Sequence, residues 1–223
     1  RVFTSNNPFD PANDEVFFRE NQSLSIGLRA TYEFSKEYAT YPTGRVYQPS
    51  KYPRFGISYN RAFKNILGSD TRFDLLSFDI SKSDIKLGLF GHSAFWVGGG
   101  KFLNQDNLYY PDFKHFIGTR SLGYTPKINS FLFLDYYKFS TAEKYLEGHL
   151  EHNFSGFITN KIPLIRKLKL QELAGFNYLS TPAFKDYKEV YFGLQYLNFR
   201  GLYGWSYQKG RKMDSEFRIA YGF

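Results

Sequence analysis

The chain has 223 residues, no cysteine and a formal net charge of +8. That length suits one large domain, the missing cysteine excludes disulfides and thiolate metal sites, and the scattered Lys and Arg residues argue against nucleic acid and for lumen, loop and lipopolysaccharide-phosphate contacts. Aromatic residues make up 21% of the chain, with 25 Phe and 19 Tyr, yet the mean hydropathy is negative, a combination that fits strands with one face in lipid and the other in water.

No stretch approaches the roughly 20 apolar residues of a membrane helix, so any crossing would be by strands. The chain opens at Arg1 with no signal peptide and reads as a mature chain or a fragment. Residues 1–21 are turn-rich (Asn6, Asn7, Pro8, Pro11, Asn13) and read as the tail of an outer loop. Leu24, Ile26, Leu28, Ala30, Tyr32 and Phe34 then alternate with Ser25, Gly27, Arg29, Thr31 and Glu33, which predicts a strand with a wet face. Residues 36–53, rich in Pro and Tyr, read as a periplasmic loop. Phe55, Ile57 and Tyr59 open a second strand, and an outer turn is expected at 66–70. Leu76, Phe78 and Ile80 mark a third strand, a tight turn is expected at Lys82-Ser83-Asp84, and Ile85, Leu87, Leu89, Phe95 and Val97 mark a fourth. Gly98-Gly99-Gly100 reads as a flexible exit from the sheet.

Residues 100–143 are expected to form a long outer connection folded into the lumen, with 129–140 lying there or as an extended strand above the membrane. Asp112, His115, Phe116 and Arg120 are its candidate plug or gate residues. In the next strand Tyr145, Glu147, His149, Glu151 and Asn153 alternate with apolar residues and predict a polar ladder on the lumen wall. The run around Lys161, Pro163, Arg166 and Lys167 reads as a periplasmic turn snorkelling at the interface. Residues 167–180 predict a strand whose facing stays open, because Leu170, Ala174 and Phe176 compete with Leu173 and Gly175. An outer loop at 180–188 leads to a strand carrying Val190, Phe192, Leu194 and Tyr196. A periplasmic turn at 198–200 and an outer hairpin at 209–213 flank a strand with Tyr203, Trp205 and Tyr207. The terminal strand puts Phe217, Ile219, Tyr221 and Phe223 on one face, as the C-terminal signal of an outer-membrane barrel does. Trp96, Tyr109, Tyr110, Tyr136, Tyr137, Trp205 and Tyr207 read as interfacial girdles.

The fold expected is therefore all-β, an antiparallel transmembrane β-barrel in the outer membrane of a Gram-negative bacterium, formed by a single domain over residues 1–223. The elements sum to about nine strands, an odd number, whereas single-chain bacterial barrels have even numbers and cannot leave edges in lipid. The chain thus reads as the C-terminal part of a larger barrel.

Chemistry-bearing constellations are sparse. His149-Leu150-Glu151-His152 invites a metal reading, but on a strand His152 points away from His149 and Glu151, so no metal is expected. His115 with Asp112, and Ser140 with Asp135, are candidate catalytic pairs by residue type only, without a strained nucleophile turn. No enzyme, catalytic residue or cofactor is expected. The partners expected are lipid, lipopolysaccharide and other outer-membrane or periplasmic proteins.

The segments YYPDFKHFIG (109–118), FLFLDYYKFST (131–141) and HLEHNFSGFITNKIPLIRKLKLQELAG (149–175) resemble the C-terminal region of a Bacteroidota outer-membrane family of unknown function. In that family a carboxypeptidase-regulatory-like domain precedes a barrel. Tyr41-Pro42 before a strand, Gly68-Ser69-Asp70 in an outer turn, and a long loop before the closing strands are also similar to the barrel of the BamA/TamA-type assembly-factor superfamily. The resemblance implies the last nine strands of a barrel of about sixteen and a scaffold or assembly-factor-like role in envelope biogenesis, with a passive pore or uptake barrel as the alternative and a rim-type enzyme behind it. The Arg-Gly-Phe loop signature of that superfamily is absent from the long connection; its nearest match is Phe199-Arg200-Gly201.

Overall fold

The computed structural model describes residues 21–35, 37–47, 50–119 and 127–221. Eleven strands follow in chain order: β1 (Ser25–Glu33), β2 (Tyr38–Tyr41), β3 (Gly44–Tyr47), β4 (Arg54–Ala62), β5 (Arg72–Lys86), β6 (His92–Asn107), β7 (Lys144–Asn153), β8 (Gln171–Ser180), β9 (Tyr187–Tyr196), β10 (Phe199–Gln208) and β11 (Arg211–Tyr221). Nine of them make one antiparallel sheet in the order β1-β4-β5-β6-β7-β8-β9-β10-β11, and β2 and β3 form a separate hairpin. Each strand in the large sheet pairs with its neighbours in sequence order once that hairpin is set aside. The sheet is open: β1 pairs only with β4 and β11 only with β10 among the described residues. No helix is long and apolar enough to cross a membrane among those residues.

Register carries the period-two pattern across all nine strands. Arg29 pairs with Ser58, Ser58 with Ser77, Ser77 with Gly100 and Gly100 with Tyr145. Glu151 pairs with Gly175, Gly175 with Tyr191, Tyr191 with Gly204 and Gly204 with Glu216. These residues line one face, which the connection between β6 and β7 covers over β7 to β11 and leaves open at β1, where Ser25, Gly27, Arg29 and Thr31 are exposed. The other face is bare and apolar: Ile26, Leu28, Ile57, Phe78, Leu150, Phe192, Leu194, Phe217 and Ile219 all lie exposed on it. The core lies between the covered face and the connection. Phe131, Leu134 and Phe139 pack with Leu179 and Tyr187 there, and Leu132 and Phe133 pack with Leu173, Leu202 and Ala220.

Register also settles the facing of β8: Leu173 and Leu179 are buried on the covered side, and Phe176 is exposed on the bare side. The strand begins at Gln171, after two short 3-10 turns at Thr159–Lys161 and Ile165–Leu168.

The turn, the glycine run, the start of the long connection and one girdle residue are corrected. Lys82–Asp84 is an irregularity inside β5, where pairing with β6 shifts between Lys82 and Ile85, and the chain reverses at 87–91 instead. The reversal uses Gly88 and Gly91, whose φ angles of 63° and 95° suit residues without a Cβ. Gly98-Gly99-Gly100 is the middle of β6, not an exit, and β6 runs on to Asn107, so the connection begins at 108. A Cβ at Gly98 would overlap the Trp96 ring, which lies across it on the covered face beside His149; Trp96 is not a girdle residue. Of the two readings left open for 129–140, the extended strand is not formed, for a reason that lies in Glu189.

Candidate functional site

The covered face of β7, β8 and β9 holds a buried polar network. Tyr145, Glu147, His149, Glu151 and Asn153 share that face of β7, at alternate positions. Lys114 of the connection lies 3.3 Å from the Glu147 carboxylate and over the Tyr145 ring at 4.9 Å. His149 Nδ1 meets Asn177 Oδ1 at 2.9 Å, and Asn153 donates to Gln171 at 2.7 Å. Glu151 is reached from two strands: the Tyr191 hydroxyl donates to it at 3.0 Å and Arg200 of β10 lies 3.1 Å away.

Glu189 is the centre of the site and is fully buried, at 0% exposure. Its carboxylate accepts from Asn177 Nδ2 at 2.7 Å, from the Tyr187 hydroxyl at 2.7 Å, and from the backbone N–H groups of Leu132 and Phe133 at 2.8 Å each. A buried carboxylate is tolerable only when its lone pairs are met by donors in this way. Because Asn177 gives its Nδ2 to Glu189, its Oδ1 faces His149, and the proton of that contact belongs to His149 Nδ1.

The same carboxylate explains the missing strand. Successive N–H groups of a strand point to opposite sides, yet Glu189 takes those of Leu132 and Phe133 together, so the chain bends there. Arg218 of β11 clasps the segment from the other side: its Nε donates to the Leu132 carbonyl at 3.1 Å, and its guanidinium pairs with Glu216. Phe133 then reaches the sheet over Gly204, where a Cβ would stand 2.9 Å from its ring.

The remaining predicted residues are scattered. Phe116 is buried with its ring 5.6 Å from Tyr145, so the connection also touches the sheet there. His115 Nδ1 meets Ser140 Oγ at 2.7 Å, and the Tyr110 and Tyr137 rings each lie 5.2 Å from its ring. Burial pushes His115 below its ordinary value and Asp112 and Tyr110 above theirs. Asp112 is reached by the Ser23 hydroxyl just ahead of β1, at 3.4 Å. Ser140 thus pairs with His115; Asp135 instead faces Lys138, at 3.2 Å. Tyr109, Tyr110, Tyr136 and Tyr137 sit in the connection rather than on strands, while Trp205 packs edge-to-face with Tyr203 on the bare face. Lys161 lies 4.0 Å over the Phe157 ring, and Pro163, Arg166 and Lys167 are in the turns between β7 and β8. Phe217, Ile219 and Tyr221 share the bare face of β11; Phe223 and Arg120 lie outside the described residues. His149 and His152 are on opposite faces, His152 bonding Ser93 and the Phe90 carbonyl, and no group of three or more His, Asp or Glu gathers as a metal site among the described residues.

Glu189, Asn177, Tyr187 and Arg218 are absent from the sequence-based site. Alternation with Val190 and Phe192 places Glu189 on the polar face of β9, but its backbone partners lie 57 and 56 positions away in the chain. No local pattern encodes that meeting.

A family profile described as "Family of unknown function (DUF5686) C-terminal domain" matches residues 1–194. No curated protein and no solved structure matches the chain.

Proposed function

We propose a function for a chain that belongs to this family of unknown function, as its C-terminal domain: it is part of a transmembrane β-barrel in the outer membrane of a Gram-negative bacterium, with residues 108–119 and 127–143 as a plug in the lumen. The observation that carries this reading is the division of the nine-stranded sheet into a bare apolar face and a more polar face that the connection covers over β7 to β11. Lipid is the solvent that suits the first, and a polar lumen suits the second. Apolar area of this extent on a protein in water would be an aggregation surface. Unpaired backbone at β1 and β11 is prohibitive in lipid, so further strands complete the barrel, to about sixteen. The connections at 63–71, 108–143, 181–186 and 209–210 then face outward, and those at 34–53, 87–91, 154–170 and 197–198 face the periplasm.

The role is that of a non-enzymatic scaffold or assembly-factor-like barrel in envelope biogenesis, with lipid, lipopolysaccharide and envelope proteins as partners and no cofactor. A plug fixed by buried ionic contacts favours it over an open pore. The test is depletion of the protein in cells. Loss of heat-resistant, folded outer-membrane proteins supports the scaffold; unchanged outer-membrane proteins with slowed solute uptake support a passive uptake barrel instead. A rim-type hydrolase is favoured only by the His115–Ser140 contact, and it requires a hydrolytic activity that His115→Ala abolishes.

A further inference from the structure

We propose that Glu189, Asn177, Tyr187 and Arg218 form a receptor for a bent apolar peptide, filled in this structure by residues 130–134 of the same chain. The inference deepens the plugged-barrel reading and rests on it, since the plug must be able to leave for another peptide to enter.

The built character of the site is the first argument. Glu189 meets Leu132 and Phe133 through their backbone N–H groups alone, and Arg218 meets the Leu132 carbonyl. Three polar contacts therefore read main chain, which every peptide carries. Asn177 and Tyr187 occupy the other acceptor positions of the carboxylate and aim it. Two adjacent N–H groups converging on one oxyanion form a nest, a geometry that only a bent segment presents.

The second argument is the selectivity of the surroundings. Leu132 and Phe133 sit in an apolar hollow made by Leu173, Leu202 and Ala220, and Gly204 leaves the space that the Phe133 ring fills. The site accepts large apolar side chains beside a charged main-chain clamp. Its third feature is the consequence of vacancy. A carboxylate at 0% exposure that lost two N–H donors would be left under-solvated. Another peptide with two adjacent N–H groups restores them. The chemical class of ligand is thus a short aromatic and aliphatic peptide free to bend, such as an exposed segment of an unfolded membrane strand protein.

The experiment uses the natural full-length polypeptide in detergent micelles. Leu132→Pro with Phe133→Pro removes both N–H donors and opens the site; Leu132→Pro alone, which removes one of the two, is the milder companion, should the first fail to fold. The probe is a fluorescent peptide with the sequence of residues 128–136, and its twin carries N-methyl groups on the residues matching Leu132 and Phe133. Anisotropy should show the plain peptide binding an opened variant at least tenfold more tightly than the parent protein. The N-methyl twin should not bind, and Glu189→Gln added to the opened variant should abolish binding of the plain peptide. Equal binding of both peptides, or none to a folded opened variant, overturns the receptor. Bilayer conductance of the same variants separates this from the plug. Raised conductance without peptide binding keeps the plug and removes the receptor; peptide binding with unchanged conductance keeps the receptor and removes the plug as the block of the lumen.

Discussion

At the scale of single residues, the covered face is organised by charge that cannot be diluted by solvent. Glu189 gathers four donors from three parts of the chain. Replacing it with Gln turns one acceptor oxygen into an NH2 group that faces donors, leaving buried N–H groups unmet. Glu189→Gln should lower unfolding stability by about 3 kcal/mol, read as an earlier urea transition in micelles, whereas Lys188→Gln beside it should change little. His115 is the residue that gives the connection a pH response. Burial lowers its folded pKa below the ordinary 6.5, so the stability it permits is whole above that value and falls as the pH drops through it. Asp112, raised by burial, acts oppositely: it contributes most when protonated, below its ordinary range, and that contribution is lost as the pH rises through its folded pKa. A window from pH 7.5 to 5.5 spans the ordinary histidine value and lies above the ordinary carboxylate value, so it is the window in which to read His115. Amide exchange over 109–116, corrected for intrinsic rate, should therefore quicken at pH 5.5, and His115→Asn should flatten the response.

At the scale of elements, side chains on one strand cross a neighbour through the space a glycine leaves. Arg29 of β1 reaches Asp79 of β5 across Gly56 of β4. The Tyr191 ring of β9 lies across Gly175 of β8 on its way to Glu151 of β7. A side chain at either glycine blocks a tie that spans three strands. Gly175→Val should lower the temperature at which the folded band is lost on a semi-native gel, while Gly148→Val should leave it nearly unchanged, because a Cβ there meets only Val97 at 3.9 Å. These ties also mark where the sequence stops being legible. Alternation in Leu24–Phe34 or Val190–Tyr196 is local, and it fixes strand and face without a partner. The facing of 167–180 is ambiguous locally, since both of its faces carry apolar groups; Leu173 and Leu179 are resolved only by the connection that packs on them. The apolar run at 131–134 mimics a strand because nothing nearby in sequence reveals that a carboxylate will seize two successive amides. The polar ladder of β7 is readable as a face, but the identities of its partners, Lys114, Asn177 and Arg200, are tertiary facts.

At the scale of the whole molecule, one sheet carries two unlike faces, and the proposed barrel assigns the bare one to lipid. A charge placed on the bare face should obstruct insertion: Phe192→Arg should reduce the folded yield in lipid vesicles, by about 2–4 kcal/mol if the position lies at mid-bilayer, while Ser58→Arg on the covered side should insert nearly as the parent does. The clamp on residues 132–133 has a further meaning in time. Its grips come from β9 and β11, and the Arg218 contact joins groups 86 positions apart. The tight reversal at Lys209-Gly210, with both φ angles positive, lets β10 and β11 zip together quickly. The segment they must hold has no such local route and waits on a long closure. If the sheet curls shut, as the proposed barrel requires, a chain of bulky aromatic residues has no easy way in. Seating must therefore precede sealing. In the interval before β9 and β11 are in place, Phe131-Leu132-Phe133-Leu134 is a sticky, ownerless stretch that invites aggregation.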